Sequence, residues 1–121
     1  MVKSILIISD QSPIGNNSTA ESIRMGSGLM AYGEINVKIV FRGDAVFFLS
    51  KELSPEALNM DPITPILRLM ELADVEIHVL EESLQRAGLS RSDLIAYKNL
   101  KIINERELAS LILNSEVSFR F

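Results

Sequence analysis

Three observations predict a three-layer α/β/α fold around a five-stranded, mostly parallel sheet. Short apolar runs alternate with helical patterns along the whole chain. The first run, residues 2–9, is rich in isoleucine and lacks polar alternation, as a strand buried on both faces does. The 121 residues fit one domain, 1–121, and an apolar share of 47% is enough for a core that needs no disulfide or metal.

The elements follow in order. After the first strand, residues 11–17 form a loop carrying Pro13 and Gly15. Ser18 is the expected cap of the first helix, with Glu21 completing a capping box. That helix runs to about Tyr32, and Gly33 suits the left-handed position beyond its last turn. Residues 35–41 form the second strand. Arg42-Gly43-Asp44 is a turn, and a short helix begins at Ala45. Residues 51–62 are polar and irregular, with one turn at Ser54-Pro55-Glu56. Thr64-Pro65 reads as the cap and first position of a helix that ends near Ala73. Residues 76–80 are the third strand. Residues 81–87 are a helix stopped by Gly88, and residues 90–96 a further short turn of helix. Residues 100–103 are the fourth strand. Asn104, with Glu107 three residues on, caps the last helix. In residues 117–121, Val117, Phe119 and Phe121 alternate with Ser118 and Arg120, the pattern of an edge strand with one wetter face.

Composition excludes several chemistries. The chain has no cysteine, so it has no disulfide, no cysteine-ligated zinc or iron–sulfur site, and no thiol nucleophile. This leans toward a reducing compartment, and a cytoplasmic location is expected. No apolar run approaches the roughly 20 residues of a membrane span. Lys and Arg number 12 against 16 Asp and Glu, and the basic residues are scattered. Nucleic-acid binding is therefore not expected. His78 is the single histidine, which leaves no transition-metal set, and no cofactor is expected. Gly26-Ser27-Gly28-Leu29-Met30-Ala31 matches a dinucleotide fingerprint, but it lies deep in the first helix instead of opening it. These glycines are expected to allow close packing against the sheet or a neighbouring subunit.

In open α/β sheets, ligands sit at the carboxyl ends of the strands. That rule selects Ser9, Asp10, Ser12, Gly15, Asn16, Asn17 and Ser18 after strand one, Arg42 and Asp44 after strand two, and Glu81 after strand three. The first loop offers hydroxyls and backbone N–H groups at a helix start, which suits a phosphate-containing ligand. The simpler account is a capped helix after a polar turn. For Arg42 and Asp44 the simpler account is surface ion pairing, and for Glu81 and Glu82 it is complementing the helix dipole.

Several segments together resemble the DsrE/DsrF-like family of sulfur-relay subunits, over nearly the whole chain. They are Ile5-Leu6-Ile7-Ile8-Ser9-Asp10 through Pro13-Ile14-Gly15, Ala20-Glu21-Ser22-Ile23-Arg24-Met25, and Val37-Lys38-Ile39-Val40-Phe41-Arg42-Gly43-Asp44-Ala45-Val46. Val75-Glu76-Ile77-His78-Val79-Leu80-Glu81-Glu82 through Gly88-Leu89, Glu107-Leu108-Ala109 and Val117-Ser118-Phe119 complete the set. The resemblance implies a doubly wound order, flavodoxin-like or related. It also implies that the sulfur-carrying cysteine of relay members falls eight residues before the glycine matched by Gly88. That position holds Leu80, whose side chain cannot form a persulfide. The implied role is a non-catalytic subunit of a homo- or hetero-oligomer, a trimer or hexamer, with other DsrE/DsrF-like subunits. The other reading is a small-ligand binder or enzyme that uses the loop after strand one.

Overall fold

The computed structural model describes residues 3–58 and 62–121. Val2, read above as the start of the first strand, and residues 59–61 of the irregular stretch lie outside the described residues. The chain runs β1 (Ser4–Ser9), α1 (Ser18–Met30), β2 (Asn36–Phe41), 3-10 helices over Gly43–Leu49 and Pro55–Leu58, and α2 (Thr64–Ala73). It continues with β3 (Glu76–Leu80), α3 (Glu81–Ala87), a 3-10 turn over Arg91–Asp93, β4 (Leu100–Ile103), α4 (Glu105–Asn114) and β5 (Val117–Arg120).

The five strands lie in the order β4-β3-β2-β1-β5, and every pairing between them is parallel. This is a doubly wound order, but not the flavodoxin one, in which β1 lies between β2 and β3. The chain steps outward from β1 to β4, then returns across the sheet to lay β5 beside β1. The reversal makes β5 an edge strand, as its alternation predicted, and brings its carboxyl end next to that of β1.

Both faces of the sheet are covered. Ile5, Ile7, Val37, Ile39, Ile77 and Val79 pack with Ile23 of α1 and Met70 of α2. Leu6, Ile8, Val40, Leu80 and Ile103 pack with Leu108 of α4. Phe41 and Phe48 stack with ring centroids 6.3 Å apart. Gly26 has the packing role expected of it: a Cβ there would come within 2.9 Å of Ile39 Cδ1 and 3.3 Å of Ile7 Cδ1. Gly28 has nothing within 4 Å of that position.

The expected helix cap is present at α4 and displaced by one residue at α1 and α2. Asn104 caps α4 as read: its side chain accepts from the Glu107 N–H at 2.9 Å, and Glu107 accepts from the Asn104 N–H at 3.2 Å. Ser18 does not cap α1. The cap position is Asn17, no side chain bonds there, and Ser18 is the first helical residue. Its N–H donates to Asn16 Oδ1 at 2.7 Å, so an Asx turn at Asn16 supplies what a capping hydroxyl would have supplied. Thr64 is likewise displaced by one position: Ile63 is the cap, and Pro65 occupies the second position, where its missing N–H is still harmless. The short helices after Arg42 and Ser90 are 3-10 turns.

Candidate functional site

A cleft of about 500 Å³ opens where the carboxyl ends of β1, β2, β3 and β5 meet the starts of α3 and α4. Asp10 lines it. The Asp10 carboxylate accepts a hydrogen bond from Arg120 Nε at 2.7 Å and lies 3.6 Å from Arg42 Nη2. Asp10 follows β1, Arg42 follows β2, and Arg120 ends β5, so one carboxylate ties three strand ends together. The Asp10 N–H also donates to the Phe121 carbonyl at 3.2 Å. This is the point where the strand order reverses, the usual place for a crevice in such sheets.

The walls are tied as well. Gly43 adopts φ +56, and its N–H donates to Ser83 Oγ at 2.8 Å, which links the β2 turn to α3. A Cβ on Gly43 would lie 3.4 Å from the Asp10 carbonyl oxygen, so both its conformation and its surroundings favour glycine. Glu82 accepts from the Glu105 N–H at 3.2 Å and so joins α3 to the start of α4. Leu80 forms part of the lining and is 3% exposed, its side chain shared with the apolar cluster beneath α4.

The charges nearly balance. Arg42, Arg86 and Arg120 face Asp10, Asp44, Glu82 and Glu105. With Asp10 already engaged by two arginines, the cleft is not a strongly cationic anion trap. The nucleophilic groups in its lining are the Ser83 hydroxyl, which accepts from the Gly43 N–H, and the carboxylates of Asp10, Asp44, Glu82 and Glu105.

Of the residues selected from sequence, Asp10, Arg42, Asp44 and Leu80 come together in this cleft. Ser9 is fully buried, its hydroxyl 3.4 Å from that of Thr19, which in turn donates to the Gln11 carbonyl at 2.9 Å. Ser12, Gly15, Asn16, Asn17 and Ser18 do not line the cleft. Ser12 Oγ accepts from the Ile14 N–H at 3.1 Å, and Asn16 is engaged with Ser18. Glu81 does not line the cleft, and its neighbour Glu82 does. The sequence reading missed Ser83, Arg86, Glu105 and Arg120. For Arg120 no local signal existed, because its place depends on which edge of the sheet receives β5. Ser83 and Arg86 are legible afterwards as positions three apart on one helix face.

A second polar cluster lies on the α4 face of the sheet. His78 is buried, and its Nε2 donates to Glu76 Oε2 at 2.6 Å. Lys38 Nζ and Lys101 Nζ approach the same carboxylate at 3.7 and 3.6 Å. Burial alone pushes the Glu76 carboxyl upward. The His78 hydrogen bond and charge, with the two ammonium groups, outweigh burial and hold it below the usual glutamate value. His78 Nδ1 has no hydrogen-bond partner among the described residues. Those residues contain no cluster of three potential metal ligands and no helix long and apolar enough to cross a membrane.

The fold and its crevice define a doubly wound parallel α/β protein with a polar cleft at the switch point. The model of the DsrE/DsrF-like family matches residues 3–121, and the chain belongs to that family. It is 31% identical over 84 residues to a TusC homolog from Vibrio parahaemolyticus, covering 69% of this chain and 70% of that protein. The crystal structure of the ychN protein from E. coli superposes with a TM-score of 0.81 at 20% identity, covering 98% of this chain and 99% of the other. MTH1491 from Methanobacterium thermoautotrophicum, a protein of unknown function, superposes with a TM-score of 0.70 at 12% identity over the full length of both. Within the family, this chain lacks the sulfur-carrying cysteine.

Proposed function

We propose that this chain is a non-catalytic subunit of an intracellular sulfur-relay assembly, built with cysteine-bearing DsrE/DsrF-like partners. The observation that carries the proposal is Leu80. It ends β3 at the lining of the cleft, in the position the family resemblance assigns to the cysteine, and its side chain is packed with Ile8, Val40, Ile103 and Leu108. A leucine has no lone pair or ionisable proton with which to accept, hold or release sulfur. The cleft around it is nevertheless closely tied by Asp10, Gly43 and Glu82. A cleft kept in order without its nucleophile suits a structural or regulatory member of an assembly. The similarity to a TusC homolog supports the same reading.

A tagged chain expressed in its own source tests this. It should bring down a cysteine-bearing family member in fixed ratio, and persulfide trapping should label only that partner. Recovery of a lone monomer at micromolar concentration, with no family member attached, would refute the proposal.

A further inference from the structure

A second pocket, of about 550 Å³, lies around the segment that leads into β4, away from the cleft. Its apolar floor is made by Leu94, Tyr97 and Leu100, all of them buried. Its rim carries Lys51, Arg91 and Lys98, all exposed. Among the described residues no acidic side chain lines it, and none of the three cations forms an ion pair. Asp93 attracts Lys51 at longer range. Its carboxylate is already held by the Ser90 N–H at 2.8 Å and the Ser90 hydroxyl at 3.1 Å.

This gathering of cations is uneven for a chain of net charge −4. In the cleft, Arg42 and Arg120 both engage Asp10. Here three positive charges share one mouth whose lining holds no acidic side chain, Asp93 acting on Lys51 from outside it, so their fields add over the distance that salt leaves unscreened.

The pocket is also preformed. The Lys51 N–H donates to the Asp93 carbonyl at 2.9 Å, and the Ile95 N–H donates to the Leu49 carbonyl at 2.8 Å. Ser50 and Leu94 make an isolated antiparallel bridge between them. The Tyr97 hydroxyl is fixed to the carbonyls of Val75 at 2.7 Å and Met70 at 3.1 Å. The floor is therefore held by backbone pairing and a buried phenol, with the exposed lysine and arginine side chains above it. An apolar floor beneath a few convergent polar groups is an arrangement that small-molecule sites share, although this pocket is open to solvent and its lining is about half polar.

We propose that this pocket binds a small organic phosphate, its apolar body on Leu94, Tyr97 and Leu100 and its dianion between Lys51, Arg91 and Lys98. The proposal does not rest on the sulfur-relay reading. Phenyl phosphate is the simplest probe, with inorganic phosphate and phenol as its two halves. Amide chemical shifts of the full chain, titrated with each, report both site and affinity. Phenyl phosphate should move the amides of residues 94–100 and bind about tenfold more tightly than either half. Lys51→Gln and Lys98→Gln should each weaken it about fivefold, with an otherwise unchanged spectrum, since both side chains are exposed. Added salt should weaken binding further. Shifts confined to other residues, inorganic phosphate binding as well as phenyl phosphate, or binding unchanged in both glutamine variants would each overturn the assignment.

Discussion

Tyr97→Phe removes one oxygen from the best-anchored side chain near β4, and its effect can be worked from the structure. The phenol has one proton and two carbonyls within reach, Val75 at 2.7 Å and Met70 at 3.1 Å. The Met70 carbonyl has another donor, the Val75 N–H at 3.4 Å. The shorter bond to Val75 is thus the one whose loss matters. Losing a buried hydrogen bond, and leaving its acceptor poorly satisfied, costs about 1–2 kcal/mol. For a chain of this length that lowers the melting temperature by about 3–8 °C. The same environment governs ionisation. Burial, with the carboxylates of Asp74 and Glu71, pushes the Tyr97 phenol up to about 12. A folded value above the unfolded one, near 10, means the protonated phenol favours the folded state. Its contribution is complete below about pH 10 and is lost as pH rises toward 12. The assay is thermal and urea unfolding of both proteins, with tyrosinate absorbance titrated in each. Subtracting the Tyr97→Phe titration isolates Tyr97 from the exposed Tyr32. Equal stability of the two proteins, or a Tyr97 that ionises near pH 10 in the folded state, would refute the reasoning.

Three further outcomes are expected. Asn104→Ala should cost about 1 kcal/mol in urea unfolding through the lost capping box, whereas Ser18→Ala should change stability by only a few tenths. Gly28→Ala should stabilise by about 0.5–1 kcal/mol, because the added methyl meets open space in a helix interior. Gly26→Ala should lose that gain to overpacking of about 1–3 kcal/mol against Ile39 and Ile7, as chemical denaturation of the pair would show. The Glu76 carboxyl sits below its ordinary value in the folded state, so its contribution is complete above about pH 4.5 and is lost as pH falls through the lower folded value. Glu76→Gln should therefore be less stable than the parent near neutrality, with the difference narrowing in acid, as melting temperatures across pH would reveal.

Much of the fold was legible because its signals are local. The bounds of β3, α3 and β4 follow directly from an apolar run, a flanking acidic pair and the glycine at 88. The Asn104 box was read correctly because Asn and Glu at that spacing occur once, just after a strand. At the first helix, Asn16, Asn17 and Ser18 all suit a helix start, and tertiary packing of the loop chose among them. The candidate site was half legible. The strand-end rule found Asp10, Arg42 and Asp44, since it needs only strand ends. It could not find Arg120, whose neighbours are fixed by a pairing across 110 residues of sequence. It also misplaced Ser9, because the last residue of a fully buried strand points into the core as readily as out of it.

The central claim, that this chain lends structure to a relay whose chemistry belongs to another subunit, is tested most directly by native mass spectrometry of the protein gently purified from its own source. The account predicts a closed assembly of fixed stoichiometry with a cysteine-bearing DsrE/DsrF-like subunit, any added sulfur mass residing on that subunit after dissociation. A chain that arrives alone as a monomer would contradict it.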